Sequence, residues 1–130
     1  MEKEIPPRPT DGELEILHVL WEHGPSTVRG IHKRLIRKKV TGYTTVLKLL
    51  QIMTDKGLVK RDDAQRAHIY VATYAQEQTQ RQLVREFLEK VFNGSASKLV
   101  MQALSTEEKA SPEELSQIQQ VLDEHRRNAR

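Results

Sequence analysis

Apolar positions recur at helical spacing in three stretches before residue 60 and three after residue 75, with two short alternating stretches between them. The capping-box sequence Thr10-Asp11-Gly12-Glu13 predicts the start of a first helix running to about His23. Leu14, Leu17 and Trp21, with Leu20 beside them, give its expected inner face, and Gly24-Pro25 ends it. Ser26-Thr27-Val28 reads as a short strand or as the lead-in to a second helix over about residues 28–37. That helix packs through Ile31, Leu35 and Val28 and turns a basic face outward. A turn over residues 38–42 follows, with Thr41 placed to cap the third helix. The stretch Val40–Lys56 then carries two unlike faces. Val46, Leu49, Leu50 and Met53 form an apolar stripe, while Thr44, Lys48, Gln51 and Asp55 lie on roughly the opposite side. Gly57 suits a left-handed residue past the last turn, and Lys56 suits the negative end of the helix dipole.

The period then changes from helix to strand. Residues 58–61 and 68–73 read as strands, the second with Ile69 and Val71 on one face and Tyr70 on the other. Their link, residues 62–67, is polar and includes Arg66. Three helices followed by a two-stranded ribbon is the order of a winged helix. Beyond it, Leu83, Val84, Phe87, Leu88, Val91 and Phe92 predict a long helix over about residues 75–92, stopped by Asn93-Gly94. Leu99, Val100, Ala103 and Leu104 predict a shorter helix over residues 95–104. Ser111-Pro112-Glu113-Glu114 opens a last one, with Leu115, Ile118 and Leu122 on a seam and His125 in line. The expected class is therefore mainly α: a flexible arm over residues 1–9, a winged helix-turn-helix with a two-stranded wing over 10–74, and a helical dimerisation region over 75–130. A second copy of the chain is the simplest cover for the extra apolar stripes. The expected dimer residues are Leu83, Phe87, Leu88, Val91, Leu99, Val100, Leu115, Ile118 and Leu122.

Composition supports a small aliphatic core. Of 130 residues 37% are hydrophobic and 5% aromatic, which favours burial of further apolar surface between two copies. The chain has no cysteine, so disulfides, thiolate metal sites and cysteine nucleophiles are excluded and a cytoplasmic location is expected. No apolar run approaches 18 residues and the start, MEKEIPPRPT, lacks an apolar signal core, so neither a membrane span nor a secretion signal is expected. Net charge is +3, but it is unevenly spread. From Thr27 to Arg61 there are ten basic residues and one acid, a balance of +9 that leaves −6 for the remainder. Such asymmetry marks a footprint for a polyanion.

The third helix is the expected reader of double-stranded DNA. Thr44, Thr45, Lys48 and Gln51 carry groups that can meet base edges in a major groove. Arg29, Lys33, Arg37, Tyr43, Lys56, Lys60 and Arg66 are the expected phosphate contacts, Arg66 from the wing. Trp21 is expected in the core. The five histidines show no metal-ligand spacing, and no nucleophile elbow, phosphate loop or dinucleotide fingerprint occurs. No enzyme, metal or cofactor is expected. The residues alone leave two alternatives open: a winged-helix module used for protein contacts, and a regulator gated by a small molecule.

The order of short motifs resembles the BlaI/MecI/CopY family of penicillinase-type and copper-responsive transcriptional repressors. The resemblance rests on Thr10-Asp-Gly-Glu13, Leu20-Trp21, Tyr43-Thr-Thr-Val46, the run KGLVKR over residues 56–61, and Phe92-Asn-Gly94. It spans residues 10–125 or so. It implies an N-terminal winged helix, a C-terminal dimerisation region, and repression by a homodimer on an inverted-repeat operator. Two departures bear on induction. Gln102-Ala103 stands where the antibiotic-responsive branch has the Asn-Phe bond at which it is cleaved. The cysteine cluster of the copper-responsive branch has no counterpart.

Overall fold

A computed structural model describes residues 6–106 and 110–129 of the chain. The elements run α1 (Asp11–His23), β1 (Ser26–Thr27), α2 (Val28–Leu35), α3 (Tyr43–Lys56), β2 (Val59–Asp62), β3 (Ile69–Ala72), α4 (Gln76–Phe92), α5 (Ala96–Leu104) and α6 (Pro112–Asn128). The chain divides into two compact units, Met1–Val84 and Arg85–Arg130.

The first unit is a winged helix. Its capping box forms as the sequence implies: Glu13 N–H donates to Thr10 Oγ1 (3.3 Å), and Thr10 N–H donates back to Glu13 Oε1 (2.9 Å). The buried side of α1 is rotated from the expected one. Glu13, Ile16, Leu17, Val19 and Leu20 are buried, whereas Leu14 and Trp21 only flank the core. Trp21 keeps its indole N–H at the edge because that group needs an acceptor, and it donates to the carbonyl of Tyr74 (3.0 Å). Both readings of Ser26-Thr27 hold together: the pair forms β1, and Thr27 also caps α2 by accepting from Gly30 N–H (3.1 Å). Val28, Ile31 and Leu35 bury the inner side of α2.

The strands make a three-stranded antiparallel sheet in the order β1-β3-β2, so the expected two-stranded ribbon gains a short third strand. Ser26 faces Tyr70 and Thr27 faces Ile69 on one side of β3, and Val59 faces Ala72 on the other. The alternation along β3 is as expected. Tyr70 is the buried member, while Ile69 and Val71 are half-buried. Gly57, at φ 82, ends α3 in the left-handed region and donates to the carbonyl of Thr54 (3.1 Å). Leu58 and Val59 can therefore turn straight into the core.

The first unit extends past the boundary expected at residue 74. Thr79 in α4 is buried, and Gln82 Nε2 donates to the carbonyl of Pro6 (2.6 Å). Pro9 is buried as well, so residues 6–9 are tied to this unit instead of forming the expected loose arm; residues 1–5 lie outside the described residues.

The second unit holds the rest of α4 with α5 and α6. Asn93 (φ 48) and Gly94 (φ 82) stop α4 in the left-handed region, and Gly94 N–H reaches back to the carbonyl of Leu88 (3.0 Å). Ser95 caps α5 by accepting from Lys98 N–H (3.3 Å). Ser111 and Glu114 form the expected capping box on α6, with Pro112 in the first turn. Neither α5 nor α6 contains a buried residue.

Candidate nucleic-acid interface

The recognition candidate α3 is split lengthwise. Val46, Leu50 and Met53 are fully buried, with Leu47 and Leu49 packed beside them. Thr44, Thr45, Lys48 and Gln51 all lie exposed along the other side, as do Ile52 and Asp55. The helix starts three residues later than Val40, which is fully exposed. Its N-cap is Gly42, with no side-chain hydrogen bond. Thr41 is the expected cap, but it stands one residue too early, and its buried Oγ1 has no hydrogen-bond partner among the described residues. The first N–H groups of α3 thus remain available to an anion such as a phosphate.

The cations sort into two sets. Arg29, Lys33, Arg37, Lys38, Lys48, Lys60 and Arg66 are exposed, and none forms an ion pair among the described residues. Arg34 is exposed as well, its Nη1 3.2 Å from His23 Nε2, and the others neutralise acids. Lys39 Nζ lies 2.9 Å from Glu15 Oε1, and Arg61 grips Asp63 with Nε (2.8 Å) and Nη2 (3.3 Å). That grip holds the Arg61 guanidinium more firmly protonated than usual, through its hydrogen bond to Asp63 first and then their attraction. Within the wing Asp62 accepts from Ala64 N–H (2.9 Å), which turns the hairpin and leaves Arg66 exposed at its tip.

Lys56 is occupied elsewhere. Its Nζ donates to Glu13 Oε1 at 2.7 Å, and Glu13 is only 2% exposed. Burial pushes the Glu13 carboxyl up. The Lys56 hydrogen bond, the Thr10 N–H and the lysine charge outweigh burial and hold it below its ordinary value. The pair gives Lys56, expected as a phosphate contact, a packing role as a strut from the C-terminus of α3 to the start of α1. The sequence marked Glu13 as half of a capping box. It did not mark the burial that makes its second partner necessary.

His32 is a second residue that spacing does not single out, because its partner lies in the turn beyond α2. It is half-buried on α2, and its Nε2 lies 2.7 Å from the carbonyl oxygen of Thr41. Its ring meets that of Tyr43 edge-on, with centroids 5.8 Å apart and planes at 83°. Tyr43 itself is about half exposed at the first turn of α3.

The expected dimer residues fall on apolar surface. Phe87, Val91, Val100, Leu115 and Leu122 are exposed, and Leu88, Leu99 and Ile118 are half-buried. Leu83, also half-buried, belongs to the first unit. Met101, Leu104 and Val121 are exposed on the same helices, although the sequence reading left them out. Among the described residues no group of histidine, cysteine or acidic side chains is arranged for a metal ion, and no helix is long and apolar enough to cross a membrane.

A model of the penicillinase repressor family matches residues 9–124. The penicillinase repressor of Bacillus licheniformis is 24% identical over 120 residues, covering 92% of this chain and 93% of its own. The transcriptional regulator BlaI of Mycobacterium tuberculosis is 34% identical over 70 residues, 52% of this chain and 51% of that protein. Among solved structures, the monomeric form of B. licheniformis BlaI in complex with the blaP half-operator superposes with a TM-score of 0.51 at 22% identity. That match covers 57% of this chain and 90% of that one. The Thermotoga maritima transcriptional regulator Tm0710 superposes with a TM-score of 0.50 at 21% identity, covering 92% and 78%. These structures share the winged-helix fold.

Proposed function

The chain belongs to the penicillinase repressor family of DNA-binding transcriptional repressors, which are not enzymes, and on that premise we propose that it represses as a cytoplasmic homodimer on an inverted-repeat operator. The α3 of each protomer enters a major groove. Thr44, Thr45, Lys48 and Gln51 read base edges, and Arg29, Lys33, Arg37, Tyr43, Lys60 and Arg66 hold phosphates. One observation carries this reading: α3 buries Val46, Leu50 and Met53 completely while its short polar residues stay exposed inside the most basic part of the chain. The dimer is supported by helices α5 and α6, which contain no fully buried residue within one protomer and expose Val100, Leu104, Leu115, Val121 and Leu122.

The test starts from genomic DNA of the source organism. Fragments retained by the chain should share an inverted repeat, protected on both half-sites. The double change Lys48→Ala, Gln51→Ala should abolish preference for those fragments and leave most salt-sensitive binding to unrelated DNA intact. Failure to retard any duplex at low salt would refute DNA binding and favour a module that contacts proteins. Equal weakening on all duplexes would restrict Lys48 and Gln51 to phosphates.

A further inference from the structure

We propose that His32 is a positioning residue for operator reading: it fixes where the recognition helix begins by holding the turn in front of it. The inference rests on the function proposed above. The hydrogen-bonded end of α2 closes with Lys38 and Lys39 N–H on the carbonyl of Leu35 (3.0 and 3.2 Å). The ladder resumes only with Val46 N–H on the carbonyl of Gly42 (3.2 Å). Between them, among the described residues, no backbone–backbone hydrogen bond holds Val40 or Thr41, and Val40 has no packing at all. Gly42 has no side chain with which to cap α3. Lys39 pairs with Glu15 at the start of this segment and Thr41 is half-buried, but neither contact holds the Thr41 carbonyl, so the first turn of α3 keeps several places to start.

His32 removes that freedom. The Thr41 carbonyl can only accept, so Nε2 carries the proton and donates, which ties the turn to α2 two residues before Tyr43. The ring then lies edge-on to Tyr43, the first residue of α3. Because α2 is anchored by buried Val28, Ile31 and Leu35, the core reference is passed through one side chain to Tyr43, Thr44 and Thr45. A displacement of about 1 Å at this turn would move base-reading groups out of hydrogen-bond range, while phosphate contacts, being longer-ranged, would survive. His32 therefore acts on selectivity more than on binding as such.

Three variants of the full chain test this: His32→Ala, His32→Gln, which retains an N–H donor of similar reach, and His32→Phe, which retains a ring without a donor. Each is titrated against an operator fragment selected by the wild-type chain and a scrambled duplex of equal length. His32→Ala should weaken operator binding about fivefold to tenfold, the worth of one hydrogen bond, and scrambled-duplex binding less than about twofold. His32→Gln should recover most of the loss, and His32→Phe should not. Should His32→Ala fail to fold, the Gln and Phe variants decide between themselves, since both fill the site. Equal losses on the two duplexes, or a His32→Phe variant that binds the operator like the wild type, would overturn the proposal. A wild-type chain that does not distinguish the two duplexes overturns the operator-reading function itself, before any variant is compared.

Discussion

Replacing Lys56 by Met should destabilise the winged unit without weakening its hold on DNA phosphates. The substitution keeps most of the apolar stem and removes the ammonium 2.7 Å from Glu13 Oε1. Glu13 is then a carboxylate at 2% exposure whose remaining hydrogen bond comes from Thr10 N–H. Breaking a fully buried pair costs about 3–5 kcal/mol, and a hydrogen bond to a charged group contributes about 1.5–3. Lys56 is 31% exposed, so solvent already screens part of its attraction, and the lower end applies: about 2–3 kcal/mol at neutral pH. Trp21 is the single tryptophan, it belongs to this unit, and its fluorescence in urea reports the unit's unfolding. The midpoint should fall by roughly 1–2 M.

The sign of the pH dependence follows from Glu13. In the wild type its folded pKa is depressed below 4.5. The pair therefore contributes fully above about pH 4.5 and loses its contribution as pH falls through the folded value. In Lys56→Met burial, the largest single influence on this carboxyl, acts without the lysine to oppose it. The variant's Glu13 takes up a proton earlier on acidification, so the stability gap between the two proteins narrows as pH falls. The double variant Glu13→Gln, Lys56→Met has no buried charge to strand and should recover about 1 kcal/mol or more of the summed single losses. A gap under about 0.5 kcal/mol at pH 7, a gap independent of pH, or additive losses would each refute the strut. A flattened salt dependence of DNA binding in Lys56→Met would restore the phosphate role expected from charge alone.

Three further outcomes are expected. Arg66→Ala should weaken binding to every duplex alike and reduce the slope of log affinity against log salt by about 0.9 per protomer, read from titrations at several salt concentrations; a loss of selectivity would place the wing in base reading. Leu122→Glu, on an exposed apolar face of α6, should leave Trp21 melting unchanged and convert a dimer to monomer in sedimentation at micromolar protein; an unchanged mass would remove that face from the interface. A fragment ending at Val84 should melt cooperatively by Trp21 fluorescence, whereas one ending at Tyr74 should melt lower because it lacks buried Thr79 and the Gln82–Pro6 hydrogen bond; equal midpoints would show that α4 adds nothing to this unit.

Most of the fold was legible because it is written in period and punctuation. Val46, Leu50 and Met53 share one side of a 3.6-residue repeat, and Gly57 and Asn93-Gly94 sit where left-handed backbone is required. The errors lie where a decision depends on tertiary surroundings. Trp21 reads as part of the α1 inner face, with Leu14 and Leu17, but its N–H needs the Tyr74 carbonyl, and Ile16 and Val19 take the interior. Thr41 reads as a cap, but α2 ends at Leu35, short of residue 37, and α3 begins at Tyr43, so the connection is longer than that reading requires and Gly42 takes the position. β1 has no pattern of its own, since two residues cannot show a period; only pairing with Tyr70 and Ile69 makes them a strand. Partners of Lys56 and His32, 43 and 9 residues away, have no local signature at all.

The same limit applies to charge counting along the basic stretch. Ten basic residues between Thr27 and Arg61 read as one footprint, yet a cation's role depends on which acid the fold brings to it. Lys39, Lys56 and Arg61 meet Glu15, Glu13 and Asp63, and two of those three acids come from α1, far away in sequence. The paired cations stand where elements join or the chain turns: α1 to the turn before α3, α1 to the end of α3, and within the wing. Arg29, Lys33, Arg37, Lys48 and Lys60, left without such partners among the described residues, belong to α2, the turn after it, α3 and β2, the segments nearest in sequence to the exposed Thr44–Gln51 side. Charge thus does two jobs in one stretch of chain, and the acids the fold brings up separate them: Glu13, Glu15 and Asp63 neutralise the cations that build the domain and leave the remainder for a polyanion.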